Sequence, residues 1–204
     1  KWLQTNSFSY FSFILSLARQ NFDVDVDLLN ESQQIMCLML HYDVWQDAGG
    51  FNSISESIRA IGQNEVLVGE IIEAIDILIS RVDFVEKEIQ LHYSMPLKLH
   101  GRYTREQILS AFGFHTFHKR QVSQAGVINI HEKNTELLFV TLEKSEKEYS
   151  PTTLYDDYAI SERLFHWQSQ NAARPDSGAG LAYIQQSKTG KVILLFVRER
   201  NQDE

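Results

Sequence analysis

Leu137-Leu-Phe-Val-Thr-Leu142 and Lys191-Val-Ile-Leu-Leu-Phe-Val-Arg198 are the stretches that decide the fold class. Each is a short, nearly unbroken apolar run rich in β-branched and aromatic residues and bounded by polar or turn-forming ones, so each reads as a buried strand. Val127-Ile-Asn-Ile130 reads as a third strand, joined to the first by a polar loop over 131–136. Residues 165–170 alternate strictly, with Phe165, Trp167 and Ser169 on one face and His166, Gln168 and Gln170 on the other. That is the period of a half-buried strand, in which Phe165 and Trp167 supply core and the three polar residues a wet face. Ser187-Lys-Thr-Gly190 reads as the turn that launches the last strand.

Outward from these strands toward the N-terminus, the period changes. Phe8, Phe11, Ile14, Leu17 and Ala18 recur at helical spacing, and a second helix is expected over 28–42, broken by Asp47-Ala-Gly-Gly50. Ser53 with Glu56 fits a capping box, in which two side chains satisfy the open amides of a helix start. Asn64 is placed to cap a further helix, with Leu67, Ile71, Ile75 and Leu78 on one face and Glu70, Glu73 and Asp76 on another. One more helix is expected over 82–91, and no strand pattern precedes residue 94. The character shifts at Ser94-Met95-Pro96; Thr104 and Gln107 then form a second capping box for a short helix through Ile108, Leu109 and Phe112, with Gly113 as its stop. The expectation is therefore an α+β protein: an all-helical segment over 1–94, then a small, curved, partly closed sheet or barrel with a short helix over 95–204.

The charge supports that division. The net charge is −8. Residues 1–94 hold 5 Lys/Arg and 14 Asp/Glu, whereas 95–204 hold 14 and 13. The acidity lies in the first part, and the second retains room for a basic face. With 43% hydrophobic and 23% charged residues, wholesale disorder is excluded. The one cysteine, Cys37, excludes an intramolecular disulfide and suits a reducing cytoplasm. The apolar run 66–79 is interrupted by Glu70, Glu73 and Asp76, so no membrane span and no membrane partner is expected. The chain opens on Lys1 and closes on Asp203-Glu204, and both ends are expected to be cuts in a longer polypeptide.

Catalytic patterns fail one by one. Gly190-Lys191 is followed by Val192, so it is not a nucleotide phosphate loop. His131-x-Lys133 opens like a phospholipase-D nuclease motif, but the position of its required carboxylate is Leu138. Asp176 with Gln186-x-Lys188 is a degenerate nuclease pattern with one carboxylate, a poor holder of a divalent ion. His115 and His118 have a spacing that suits a metal, against the simpler reading of a solvated loop beside Lys119 and Arg120. No catalytic residue, metal or cofactor is expected in this chain.

Residues 152–174 differ, because aromatics, carboxylates and amides crowd together there. Tyr155 and Tyr158 suit stacking on a base, and Asp157 suits accepting from a cytosine amino group. His166, Trp167, Gln168 and Gln170 suit a polar and aromatic base-recognition surface, and Arg174 suits a phosphate contact. Arg102 and Arg105 flank the helix start at Thr104, a natural phosphate site, or are ordinary surface arginines.

His100-Gly-Arg-Tyr-Thr-Arg-Glu-Gln-Ile-Leu109, Leu138-Phe-Val-Thr-Leu-Glu-Lys-Ser-Glu146, Tyr155-Asp-Asp-Tyr-Ala-Ile-Ser-Glu162, Phe165-His-Trp-Gln-Ser-Gln-Asn171 and Leu195-Phe-Val-Arg-Glu199 carry a resemblance. Across 96–200 the chain resembles a C-terminal domain, once of unknown function, of bacterial DEAD/DEAH-type helicases, many of which also carry an N-terminal phospholipase-D-type nuclease. Some resemble modification-dependent (type IV) restriction enzymes that act on DNA with methylated cytosine. The resemblance implies an SRA/PUA-like target-recognition domain over 95–204, joined to the helicase by an acidic helical coupler over 1–94. Such a domain flips a modified cytosine into a pocket, where aromatics clamp it and a carboxylate reads its amino group. Double-stranded DNA with modified cytosine, the helicase and nuclease domains of the parent chain, and a second protomer are then the expected partners. A protein-interaction or coupling module of the helicase, with Tyr155 to Tyr158 as interface anchors, is the competing expectation, and a degenerate metal-dependent nuclease is the third.

Overall fold

A computed structural model describes residues 2–143, 157–161, 163–169 and 173–200. The chain is α+β and forms two compact units, Lys1–Val122 and Ser123–Glu204. The first is helical: α1 (Phe8–Ala18), α2 (Glu31–Val44), α3 (Ile54–Gly62), α4 (Glu65–Ser80) and, beyond a short ribbon, α5 (Arg105–Ala111). Each start carries the side chain that its sequence offers. Ser7, Asn30, Ser53, Asn64 and Thr104 accept from backbone amides three residues on, and Asn30–Gln33 and Thr104–Gln107 close full capping boxes. The box expected at Ser53 closes only halfway. Ser53 Oγ accepts from Glu56 N, but the Glu56 carboxylate accepts from the amide and side chain of Asn52 instead.

Burial follows the apolar stripes. In α1 seven of eleven residues are buried, from Tyr10 to Ala18, so this helix is the centre of its unit rather than a surface helix. Asp43 ties the elements together. Its Oδ2 accepts from Trp2 Nε1 at 2.9 Å, Tyr10 Oη at 2.8 Å and Gln107 Nε2 at 2.8 Å, joining the N-terminus, α1, α2 and α5. Helix α5 ends in a Schellman turn, with Phe114 N donating to Leu109 O and Gly113 N to Ser110 O, and Gly113 at φ 76°.

Two expectations fail in this unit. Residues 82–91 are not a helix, and a strand does precede residue 94: β1 (Lys87–Glu88) pairs antiparallel with β2 (Lys98–Leu99). The reason is tertiary. The Glu86 carboxylate accepts from Ser7 Oγ at 2.7 Å and Ser9 N at 3.0 Å, holding this segment across the start of α1 and overriding its modest helical preference. A further ladder contact joins Asn6 and Arg102.

The second unit is built on a three-stranded sheet, β3 (Val127–Ile130), β4 (Thr135–Glu143) and the last strand, in the order first–second–last. Between β4 and that last strand come a hairpin, β5 (Tyr158–Ser161) and β6 (Leu164–His166), and two short helices, α6 (Gly178–Ile184) and α7 (Gln186–Thr189), before β7 (Val192–Arg200). β3 and β4 are antiparallel, whereas β4 and β7 are parallel from Thr135↔Val192 to Glu143↔Arg200. β4 is buried along most of its length, consistent with its central place.

Three strand and turn expectations change here. Among the described residues the sheets hold two, three and two strands, and none closes into the expected barrel. β6 stops at His166 instead of running to residue 170, because Asp157 Oδ1 takes the amide of Gln168 at 2.9 Å and turns the chain away from the ladder. Residues 187–190 are not a bare turn: 186–189 form one helical turn, and Gly190 at φ 64° ends it.

Candidate recognition site

Of the residues that suit base recognition, the structure brings Asp157, Tyr158, His166, Trp167 and Gln168 onto or beside one hairpin. Tyr158 and His166 face each other across it in register, with ring centroids 4.9 Å apart and planes 30° apart. Such a cross-strand aromatic pair steadies a hairpin that buries little else. Tyr158 remains 46% exposed, which leaves ring surface available to a stacking partner. Gln168 is exposed, and so is Arg163 at the tip. Ile160 and Leu164 are also exposed, giving the hairpin an apolar edge.

Asp157 is placed otherwise than a base reader would need. It is 7% exposed, and its Oδ1 accepts from the Gln168 amide, so it clamps the two ends of the hairpin. Trp167 is half-buried and packs against Tyr183 of α6, with centroids 5.1 Å apart and planes at 87°. Tyr183 Oη in turn donates to Glu136 Oε1 at 3.0 Å, and Lys191 Nζ pairs with Glu136 Oε2 at 2.7 Å. Glu136 is 4% exposed, yet it faces both a cation and a hydroxyl, as a buried carboxylate must. Burial first, and then Glu136, push the Tyr183 hydroxyl well above its ordinary pKa, so it is a standing donor at neutral pH. Sequence reading missed this group. In the sequence Glu136 reads as the end of the polar loop over 131–136, and nothing there points to Tyr183.

Tyr155 and Gln170 lie outside the described residues. Arg174 is exposed in the loop before α6, where its carbonyl approaches so close to Gly180 that any side-chain carbon there would meet it at 2.1 Å. Arg102 and Arg105 belong to the other unit. The helix start between them is filled by its own capping box, so any phosphate role falls to the arginine side chains alone. The unit boundary also moves charge. Residues 95–122 hold five Lys/Arg against one Asp/Glu and fold with the helices, while 123–204 hold nine against twelve.

The weaker candidates do not assemble. His115 is not in a solvated loop; it is 2% exposed, its Nδ1 accepts from Gln121 N, and burial lowers its pKa, whereas His118 is exposed. Among the described residues no group of three or more His, Cys, Asp or Glu is placed to hold a metal. Asp176 and Lys188 are both exposed, on a turn and on α7. Among the described residues no helix is long and apolar enough to cross a membrane. In the helical unit, a cavity of about 590 Å3 opens between Trp2, Val44, Leu67, Ile71 and Leu78, with Asp43 and Arg81 at its polar margin.

Residues 97–204, just over half the chain, match the model of a family described as a domain of unknown function, DUF3427. No curated protein and no solved structure matches the chain.

Proposed function

We propose that this chain, which belongs to the DUF3427 family, is a DNA-recognition module that reads modified (5-methyl) cytosine by flipping it from the duplex. It would serve as the SRA/PUA-like target-recognition part of a helicase-type restriction enzyme, with no catalytic residue of its own. The observation that carries the reading is the β5–β6 hairpin, which presents the exposed Tyr158, paired with the half-buried His166, beside the exposed Gln168 and Arg163. A partly exposed ring offers a stacking face, an amide offers paired donor and acceptor groups for a base edge, and an arginine suits a phosphate. Arg174 in this unit, and Arg102 and Arg105 in the helical one, are the further candidate phosphate contacts. Asp157 acts by holding Gln168 in place.

Binding of the chain to matched duplexes with and without 5-methylcytosine, at two salt concentrations, tests this. Expected are tighter binding to the methylated duplex, a steep loss of affinity with salt, and a roughly 10- to 100-fold loss in Tyr158→Ala, the size of one base-stacking contact. No salt-sensitive binding to any duplex would refute the reading. The exposed Ile160 and Leu164 favour a second reading, in which the hairpin anchors a protein partner such as the helicase. Unchanged DNA binding in Leu164→Lys, together with lost association with that partner, would select it.

A further inference from the structure

We propose that Tyr183, held by the buried Glu136–Lys191 pair, is a positioning residue that fixes Trp167 in the recognition segment. Glu136 lies on β4 and Lys191 immediately precedes β7. Those strands are paired in register from their first residues, so the ion pair stands on a rigid base. Tyr183 reaches this base from α6 through its hydroxyl, 3.0 Å from Glu136, and meets Trp167 with its ring. Phenylalanine would fill the same volume, but without the hydroxyl its ring has no fixed azimuth. An edge-to-face contact depends on that azimuth.

Trp167 is directly followed by Gln168, whose amide is held by Asp157. The segment leaving the hairpin is thus fixed at two successive residues by unrelated means, one a backbone hydrogen bond and the other an aromatic contact. Two successive fixed points set a direction for the side chains there, including the exposed Gln168. The consequence for binding rests on the DNA reading above; the placement of Trp167 does not.

The test uses the intact chain labelled with 5-fluorotryptophan, which gives one fluorine resonance each for Trp2, Trp45 and Trp167, the last assigned with Trp167→Phe. In Tyr183→Phe the Trp167 resonance should shift toward its position in the unfolded chain, while the other two stay. Affinity for the methylated duplex should fall about tenfold with its salt dependence unchanged. If Tyr183→Phe does not fold, Glu136→Gln keeps an acceptor for the hydroxyl but weakens the bond, and should give a smaller shift in the same direction. A folded variant of either kind with Trp167 at its wild-type resonance overturns the proposal. If the wild-type chain binds no duplex, the DNA reading falls, and the resonance still decides the placement of Trp167.

Discussion

Replacing Asp43 by alanine removes the one carboxylate oxygen that accepts from Trp2, Tyr10 and Gln107. The three donors do not suffer equally. Trp2 is half-buried and regains water, but Tyr10 is 1% exposed and Gln107 is fully buried, so both are stranded. A buried donor left without its partner costs about 1–3 kcal/mol, and bonds to a charged acceptor lie at the upper end. Two such groups give an expected loss of roughly 3–5 kcal/mol, a large share of the ~5–15 kcal/mol that holds a typical domain together. Asp43→Asn keeps the size and one acceptor oxygen and should lose only about half as much. Urea unfolding followed by tryptophan fluorescence, extrapolated to water, measures both. A loss below ~1 kcal/mol for alanine, or equal losses for alanine and asparagine, would refute the idea that this oxygen organises the helical unit.

Two glycines should respond in opposite directions. Gly62→Ala puts a carbon 2.0 Å from the Asn21 carbonyl, in a loop where Asn21 and Phe22 already sit at φ 53° and 55°, and should cost about 1–3 kcal/mol or more. Gly69→Ala, inside α4 with nothing within 4 Å, should instead stabilise by about 0.5–1 kcal/mol; thermal melts of the two variants decide. Acid should weaken the helical unit through His41 and His115, whose pKa values burial lowers below the ordinary 6.5. Below that pH the unfolded chain takes up protons that the folded chain does not, so stability falls as pH falls. Urea midpoints between pH 7.5 and 5.5 should therefore drop further in the wild type than in the His41→Gln, His115→Gln double variant.

The elements that sequence reading located well are those whose cause is local. Val127–Ile130 is bounded to the residue, since an apolar run against a polar loop needs nothing from elsewhere, and the apolar period of Phe8, Phe11, Ile14, Leu17 and Ala18 marks α1, though not its Ser7 cap. Thr104, Gln107 and Gly113 fixed both ends of α5 for the same reason. Failures trace to partners far along the chain. Residues 82–91 looked helical until Glu86 met Ser7 and Ser9, 79 and 77 residues away. Trp167 fitted an alternating strand until Tyr183 and Asp157 claimed its neighbourhood. The hairpin was legible as a polar aromatic cluster, but the role of Asp157 was not, because one carboxylate reads alike in sequence whether it faces a ligand or a backbone amide.

The parallel pairing of β4 with β7 has a consequence for how the surface of this unit can vary. Parallel partners start at the same end, so the chain leaving Glu143 must travel back along the whole ladder, about 30 Å for nine residues, before Val192 can begin. Among the described residues, the hairpin and α6 lie on that return path and contribute no rung to the three-stranded sheet. Insertions, deletions and substitutions on the return path can therefore alter the surface presented there without disturbing the register of β4 and β7. Glu136, Tyr183 and Lys191 mark where that freedom ends, because each is tied to the sheet itself.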